Sequence, residues 1–471
     1  MITMADYSIA EEMRSGRDYT TKEKLGIVAR LSTPGILAQI SEILMQYIDA
    51  AMVGALGAAA SASIGLVSAS TWLFGGLMMA ASTGFSVQVA HATGAGNIDK
   101  AKSVFRQSLA ASFLFSLCIA VPAYFIGLHL PKWLGADASL WHDATSYFTI
   151  YAMFIPVRMI RWICMNMLQC SGNMKVPSIF ATMECFLDVV FNFFLIFPKR
   201  TLMLFGAAVT LPGAGLGVAG AQLGTSLAML SGGVMALSYA VIRSDVLRLK
   251  GYKGSWMPQK EVLQEAVHIG APMALEQSAL TAAQVGSTRI IAPLGTIAIA
   301  ANSFGITAES ICYMPGYGIS SAATTLVGQS IGARRADLAR SFSWLTTFTG
   351  MAIMSIMAII MWFACPYVFA FLTPDAAVRQ LGTQVLRIEL FAEPLFGASI
   401  VATGCLRGAG DTLVPGILNL VSIWGIRLPL GYFLSRSMGL MGMWIAMAVE
   451  LSVRGILFLI RLKREKWLPE F

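Results

Sequence analysis

Apolar stretches of roughly 20 residues, the length a helix needs to cross a bilayer core, recur along the whole chain and are separated by short polar clusters. They predict twelve transmembrane helices beginning near Val28, Ser61, Val104, Thr145, Val176, Gly217, Val262, Thr296, Phe342, Val385, Leu413 and Gly439. A backbone in lipid must satisfy its polar groups within its own segment, and no alternating barrel strands occur, so the expected fold class is all-α. The residues through Lys24 are polar and charged, so no cleavable signal peptide is predicted and the first span serves as the insertion signal.

Composition agrees: 56% of the 471 residues are hydrophobic and 12% are charged, too apolar for soluble domains. Seven cysteines lie singly without a CxxC pair, which implies neither a disulfide framework nor a metal site. The net charge of +8 follows topology rather than forming a nucleic-acid footprint. Lys and Arg cluster before the first span (Arg14, Arg17, Lys22, Lys24, Arg30), after the second (Lys100, Lys102, Arg106), after the sixth (Arg243, Arg248, Lys250, Lys253, Lys260), after the eighth (Arg334, Arg335, Arg340) and at the C-terminus (Arg461, Lys463, Arg464, Lys466). Because such residues concentrate in cytoplasmic loops, both termini are predicted to be cytoplasmic, in the inner or plasma membrane.

Sliding the sequence on itself gives an ungapped match at an offset of 238 residues. Pro34 meets Pro272, Gln39 meets Gln277, Leu56 and Gly57 meet Leu294 and Gly295, and Gly94, Ala95 and Asp99 meet Gly332, Ala333 and Asp337. Further on, Leu134 and Asp137 meet Leu372 and Asp375, Pro156 meets Pro394, and Gly172, Val176 and Pro177 meet Gly410, Val414 and Pro415. The first half then carries an extra stretch, Thr201 to Pro212. The predicted organisation is a cytoplasmic segment 1–24, a six-helix bundle 25–243, a cytoplasmic linker 244–261, a second six-helix bundle 262–463 and a tail 464–471. Halves with an even number of spans insert in the same orientation, so these are parallel repeats around a central cleft, an architecture suited to alternating access.

An ionisable side chain at mid-bilayer costs roughly 2.5–3.5 kcal/mol on insertion scales, so each one calls for a partner, a cavity or a task. The first half places Glu42 and Asp49 in its first span, Arg158 and Arg161 in its fourth, and Glu184 and Asp188 in its fifth. The second half has Glu276 and Arg289, Glu309, Arg387, Glu389 and Glu393, Arg427, and Glu450 with Arg454, none matched in the first half. Asp188 and Asn192 are four apart and share a helix face. A desolvated carboxylate rewards whatever neutralises it, a proton or Na⁺, and this marks Asp49, Asp188 and Asn192 as candidates for coupling transport to an ion. The competing reading makes Arg158 and Arg161 their counter-ions; otherwise these arginines join Glu276, four residues after Pro272, as candidate substrate contacts. Arg427 and Arg454 read as structural counter-ions for Glu389, Glu393 or Glu450.

Two motifs are decoys. Gly215 to Gly220 fits GxGxxG, but no strand precedes it and a span follows, so it reads as small-residue helix packing. His91, His129, His142 and His268 lack metal-ligand spacing. No clustered His, Cys or Ser/His/Asp set suggests an enzyme, and no cofactor beyond a coupling H⁺ or Na⁺ is called for.

The segments IDAAMVGALG (48–57), GARRADLA (332–339) and CLRGAGDTLVP (405–415), with the halved twelve-span plan, resemble the multidrug and toxic compound extrusion (MATE) family over nearly the whole chain. The resemblance implies export of small organic cations or amphipathic compounds in exchange for H⁺ or Na⁺, by a protein whose other partner is the lipid bilayer around it. It also implies a cation site made by an Asp of the first helix, an Asn and an Asp one turn apart on the fifth, and a Thr of the sixth. Asp49 matches the first and Thr225 the last; on the fifth helix the order is reversed, Asp188 preceding Asn192. A lipid-linked saccharide flippase of the same superfamily is the alternative, disfavoured because such proteins have strongly cationic cavities and here the acids at least balance the arginines. One chain contains the whole cleft, so a monomer suffices.

Overall fold

The structure, a computed structural model, describes residues 7–204, 207–252 and 254–469. A short helix α1 (Tyr7–Arg14) leads into α2 (Thr21–Gly54), α3 (Ala58–Gly94) and α4 (Ile98–Gly127). After a single turn, α5 (Leu130–Trp133), the fourth pass is broken into α6 (Ala138–Met153) and α7 (Ile155–Cys170), followed by α8 (Lys175–Ile196) and α9 (Gly217–Ile242). The second half runs α10 (Lys260–Ile291), α11 (Thr296–Gly332), α12 (Ala336–Leu372) and a broken pass α13 (Ala376–Glu389) with α14 (Glu393–Gly408). Its eleventh pass joins α15 (Leu413–Ser422) to α16 (Leu428–Met438) through a π-helical turn at Ile423–Arg427, and α17 (Leu440–Lys463) is the twelfth.

The twelve helical passes bear out the helical membrane fold. Eight are apolar and long enough to span a bilayer as they stand, and the α6–α7 pair, bent by 50°, makes a ninth. The other three fall short for a chemical reason: α10 and α13–α14 carry intramembrane charges, and α11 is rich in Ser, Thr and Gly. The starts of α3, α4, α6, α7 and α8 recur at α11, α12, α13, α14 and α15 with the repeat's own spacing. The extra stretch of the first half forms an antiparallel hairpin, β1 (Pro198–Leu204) and β2 (Ala207–Ala214), the one strand pair among the described residues. Contrary to expectation a strand thus directly precedes the GxGxxG of Gly215–Gly220, but it pairs only with its own hairpin partner, not in a βαβ unit.

Matched residues set matched breaks. Asp137 Oδ1 accepts from the Ser139 amide and caps α6; Asp375 Oδ1 accepts from the Ala377 and Val378 amides and caps α13. Pro156 and Pro394 stand second in α7 and α14, where a missing N–H restarts a helix but cannot extend one. Gly57 and Gly295, with φ of +114° and +98°, turn the chain into α3 and α11 in a conformation that a Cβ would oppose. Pro34 and Pro272 lie inside α2 and α10, which continue through them.

In the first half α8 packs on α2 and α9, and α7 on α3, α4 and α9; in the second, α11 packs on α12 and α14, and α17 on α14 and α16. The halves meet where α2 lies against α11 and, equivalently, α10 against α3. Each half has its own core, around Phe105, Phe148, Met159 and Leu168 in one and Phe369, Leu386 and Trp444 in the other. Outward-facing apolar side chains such as Phe186, Phe363, Phe371 and Phe391 remain exposed, as a lipid-facing surface requires.

Candidate functional site

The side chains of Asp49, Asp188, Asn192 and Thr225 come together between α2, α8 and α9. Asn192 Nδ2 donates to Asp49 Oδ1 at 2.7 Å and to Asp188 Oδ2 at 3.1 Å. Thr225 Oγ1 donates to Asp49 Oδ2 at 3.4 Å and also lies 3.1 Å from the Ala221 carbonyl of its own helix. Asp188 and Asn192 are fully buried, whereas Asp49 and Thr225 are half-buried. The approach of α9 to α8 depends on small residues: a Cβ on Gly224 would collide with Asn192 Oδ1, and one on Gly220 with the Leu195 carbonyl.

Asp188 Oδ1 and Asn192 Oδ1 are buried without a hydrogen-bond partner. Two carboxylates held by one amide, with acceptor oxygens left over, form an acceptor-rich site that a proton or a small hard cation completes. The reversed order of Asp188 and Asn192 leaves both groups on the same face, one turn apart, so the amide still reaches both acids.

The arginines are placed differently. Arg161 is buried and its Nε donates to Glu184 Oε2 at 2.7 Å, one turn before Asp188. Both groups of that pair are sheltered by glycines: a Cβ on Gly232 would meet Glu184 and one on Gly233 would meet Arg161 Cβ at 3.3 Å. Arg161 is therefore committed to Glu184 rather than to Asp49 or Asp188. Arg158 lies with its guanidinium 4.6 Å from the centroid of the Tyr151 ring, and its buried Nε has no hydrogen-bond partner.

In the second half Glu276 is buried, accepts from Asn419 Nδ2 at 2.5 Å and faces Arg407 Nη2 at 3.5 Å. That partnership joins α10 to α14 and α15, and it answers a charge considered above for a cationic substrate. Arg427 Nη2 lies 2.6 Å from Glu450 Oε2, and Arg454 Nε 3.1 Å from Glu450 Oε1, so both arginines converge on Glu450. Glu389 and Glu393, at the break between α13 and α14, are fully buried and none of their four carboxylate oxygens has a hydrogen-bond partner. Glu309 of α11 is buried beside them and is, with Glu393, a charged neighbour of Glu389.

Sequence reasoning noted these three acids without assigning them to one cluster. The signal that could have found it is the repeat itself: Glu389 and Glu393 flank the break that in the first half falls after Tyr151. It also missed a bond between the halves, in which Tyr47 Oη, two residues before Asp49, donates to the Thr307 carbonyl of α11 at 2.6 Å.

A family model, MatE, matches residues 34–194 and again 272–433, two stretches that begin at Pro34 and Pro272, the first matched prolines of the repeat. A curated relative from Thermotoga maritima named "Probable multidrug resistance protein NorM" is 25% identical over 467 residues, 96% of each chain. One of the same name from Burkholderia pseudomallei is 26% identical over 452 residues, 93% of this chain and 92% of that one. Among solved structures, a MOP superfamily transporter from Pyrococcus furiosus superposes with a TM-score of 0.86 at 17% identity, covering 98% of both chains. The Vibrio cholerae MATE transporter VcmN in its bent form gives 0.82 at 16% identity, covering 95% of this chain and 99% of that one.

Proposed function

This chain belongs to the MatE family of multidrug and toxic compound extrusion transporters, and from that premise we propose that its four first-half residues are where export is coupled to an ion. The protein is a multi-pass plasma-membrane transporter of the multidrug efflux class. Our reading of its mechanism is antiport: a proton or Na⁺ enters at Asp49, Asp188, Asn192 and Thr225 as an organic cation or amphipathic compound leaves.

The observation that carries this reading is the single Asn192 amide donating to two carboxylates while Asp188 Oδ1 and Asn192 Oδ1 lack partners. Discharging one acid removes repulsion between the pair and lets α2 and α8 close; ionising it reverses the preference. Arg158, the arginine not committed to a carboxylate partner, is the better placed of the two to meet a substrate or shape its path. Glu276 serves mainly to tie α10 to α14 and α15. In our reading both termini are cytoplasmic, from the distribution of Lys and Arg, and one chain works as a monomer without a resident cofactor.

The test is efflux of a fluorescent organic cation from proteoliposomes under an imposed H⁺ or Na⁺ gradient, comparing wild type with Asp49→Asn. Gradient-driven efflux that the variant loses supports the coupling site and identifies the ion. Efflux in the variant equal to wild type under both gradients removes Asp49 from coupling.

A further inference from the structure

The helix ends on the face that carries both termini hold a symmetric arrangement, separate from the coupling residues. Gly94 and Gly332, the last residues of α3 and α11, are repeat equivalents. A Cβ on Gly94 would collide with the Gln329 carbonyl, and one on Gly332 with the His91 carbonyl, so the two helix ends cross in backbone contact. His91 and Gln329 are themselves repeat equivalents, offset by the same 238 residues.

Their side chains do the same thing in opposite directions. His91 Nε2 lies 2.8 Å from the Gly408 carbonyl, and because a carbonyl can only accept, that nitrogen carries the hydrogen. Gln329 Nε2 donates to the Cys170 carbonyl at 3.1 Å. Gly408 and Cys170 are the last residues of α14 and α7, again repeat equivalents, and their carbonyls are among those a helix C-terminus leaves without an internal partner. Each half thus caps a helix end of the other. Gly328 lets α11 come close to α3 and to the capped helix end here, since a Cβ there would meet Ala90 Cβ at 2.8 Å and the Gly408 carbonyl at 3.2 Å.

We infer that His91 and Gln329 are paired gating residues that hold the terminal face shut. Neither touches substrate; both are positioning residues. When the halves rock apart on this face, both caps must break together, and two buried carbonyls lose their partners until water reaches them. Other bonds between the halves gather on the same side, including Gln88 Nε2 to the Val262 carbonyl at 3.0 Å and Lys24 Nζ to Ser341 Oγ at 2.9 Å. The Thr325 hydroxyl adds a bond to the Gln169 carbonyl at 3.1 Å that has no counterpart, because Val87 stands at the equivalent position. Toward the opposite face, Tyr47 and Thr307 supply the cross-bond seen among the described residues.

The inference rests on the alternating-access reading above, but its test uses neither substrate nor gradient, so the two can fail separately. Spin labels are placed at Lys100→Cys and Lys463→Cys, at the terminal ends of the two halves, with exposed Cys118 replaced by Ser. The ratio of open to closed distances is then read in lipid nanodiscs. His91→Ala and Gln329→Ala are each expected to raise that ratio about five-fold, as loss of one side-chain hydrogen bond would, and the double variant about 25-fold. His91→Gln, which makes the caps identical, and the exchange His91→Gln with Gln329→His are expected to retain the wild-type ratio. Unchanged ratios in both alanine variants overturn the inference. So does an opening in His91→Gln as large as in His91→Ala, because the imidazole would then act in some way other than as a cap. Should an alanine variant not fold, Gln329→Met and His91→Met, which keep a long side chain and remove the donor, are read by the same criterion.

Discussion

The two halves share a backbone and differ in their interior charges. Their caps, breaks and turning glycines coincide: Asp137 with Asp375, Pro156 with Pro394, Gly57 with Gly295. Inside, Tyr151 and Arg158 of the fourth pass stand where the tenth has Glu389 and Phe396, so a guanidinium over a ring in one half corresponds to a carboxylate and a ring in the other. In the first half Glu184 is answered by Arg161, while Asp49 and Asp188 are netted by hydrogen bonds from an amide and a hydroxyl. In the second they divide into acids answered by arginine, Glu276 and Glu450, and acids left bare, Glu389 and Glu393. A duplicated scaffold can keep the residues that place its helices while its buried side chains take up separate tasks.

The largest effect should come from breaking the netted side. Asp188→Asn keeps the volume and removes the charge, and it is expected to lower gradient-driven efflux to that of protein-free liposomes while leaving insertion and thermal stability close to wild type. Transport at the wild-type rate would mean that coupling belongs to the other half.

Next in size is the answered side. Glu450 is fully buried and holds both Arg427 and Arg454. Glu450→Gln leaves two guanidinium groups in a low-dielectric interior without their counter-ion, and a loss of about 3–5 kcal/mol is expected from breaking such a pair. The check is the unfolding midpoint in detergent against that of Glu184→Gln, which strands one arginine instead of two and should fall less.

Much of this was legible in the sequence, and the reasons differ by level. The twelve passes were legible because bilayer thickness imposes a length on apolar runs, and the two halves because prolines, glycines and capping aspartates recur in one register. The broken fourth and tenth passes were not: each reads as one continuous span, the fourth apolar and the tenth more charged, until Pro156 and Pro394 are seen to restart the helix. Asp49, Asp188 and Asn192 stood out as polar groups in apolar surroundings, while Thr225 was visible only by resemblance because threonine is ordinary in a membrane helix. Pairings escaped the sequence wherever they depend on how helices rotate: Arg407 with Glu276 and Arg161 with Glu184 were not foreseen, and for Arg427 and Arg454 the sequence offered Glu389, Glu393 or Glu450 without choosing Glu450. The hairpin escaped because its stretch is neither helical in period nor long.

A smaller effect tests the shared scaffold. Asp375 caps α13 through two amides, whereas its equivalent Asp137 accepts one. Asp375→Ala is expected to lose about 1 kcal/mol of stability, the usual effect of removing a helix N-cap. Asp137→Ala should lose less, and equal losses measured by unfolding midpoint would show that the second amide adds nothing.

The smallest effect is the most informative about the bare acids. Glu393 has both carboxylate oxygens buried without a hydrogen-bond partner, so as a folding element it holds nothing in place. An ionised carboxylate there opposes folding by desolvation, and a protonated one still lacks an acceptor for its hydrogen. Glu393→Gln keeps the length and removes the charge, so the unfolding midpoint should stay within about 1 kcal/mol of wild type or rise, opposite in direction to Glu450→Gln. If stability holds and efflux falls, the second half contributes a functional acid and the halves differ in chemistry rather than in whether they take part. If both measurements stay at wild type, coupling is confined to the first half. A loss as deep as that of Glu450→Gln would erase the distinction between answered and bare acids, because only a group with a strong partner in the folded state is missed so severely.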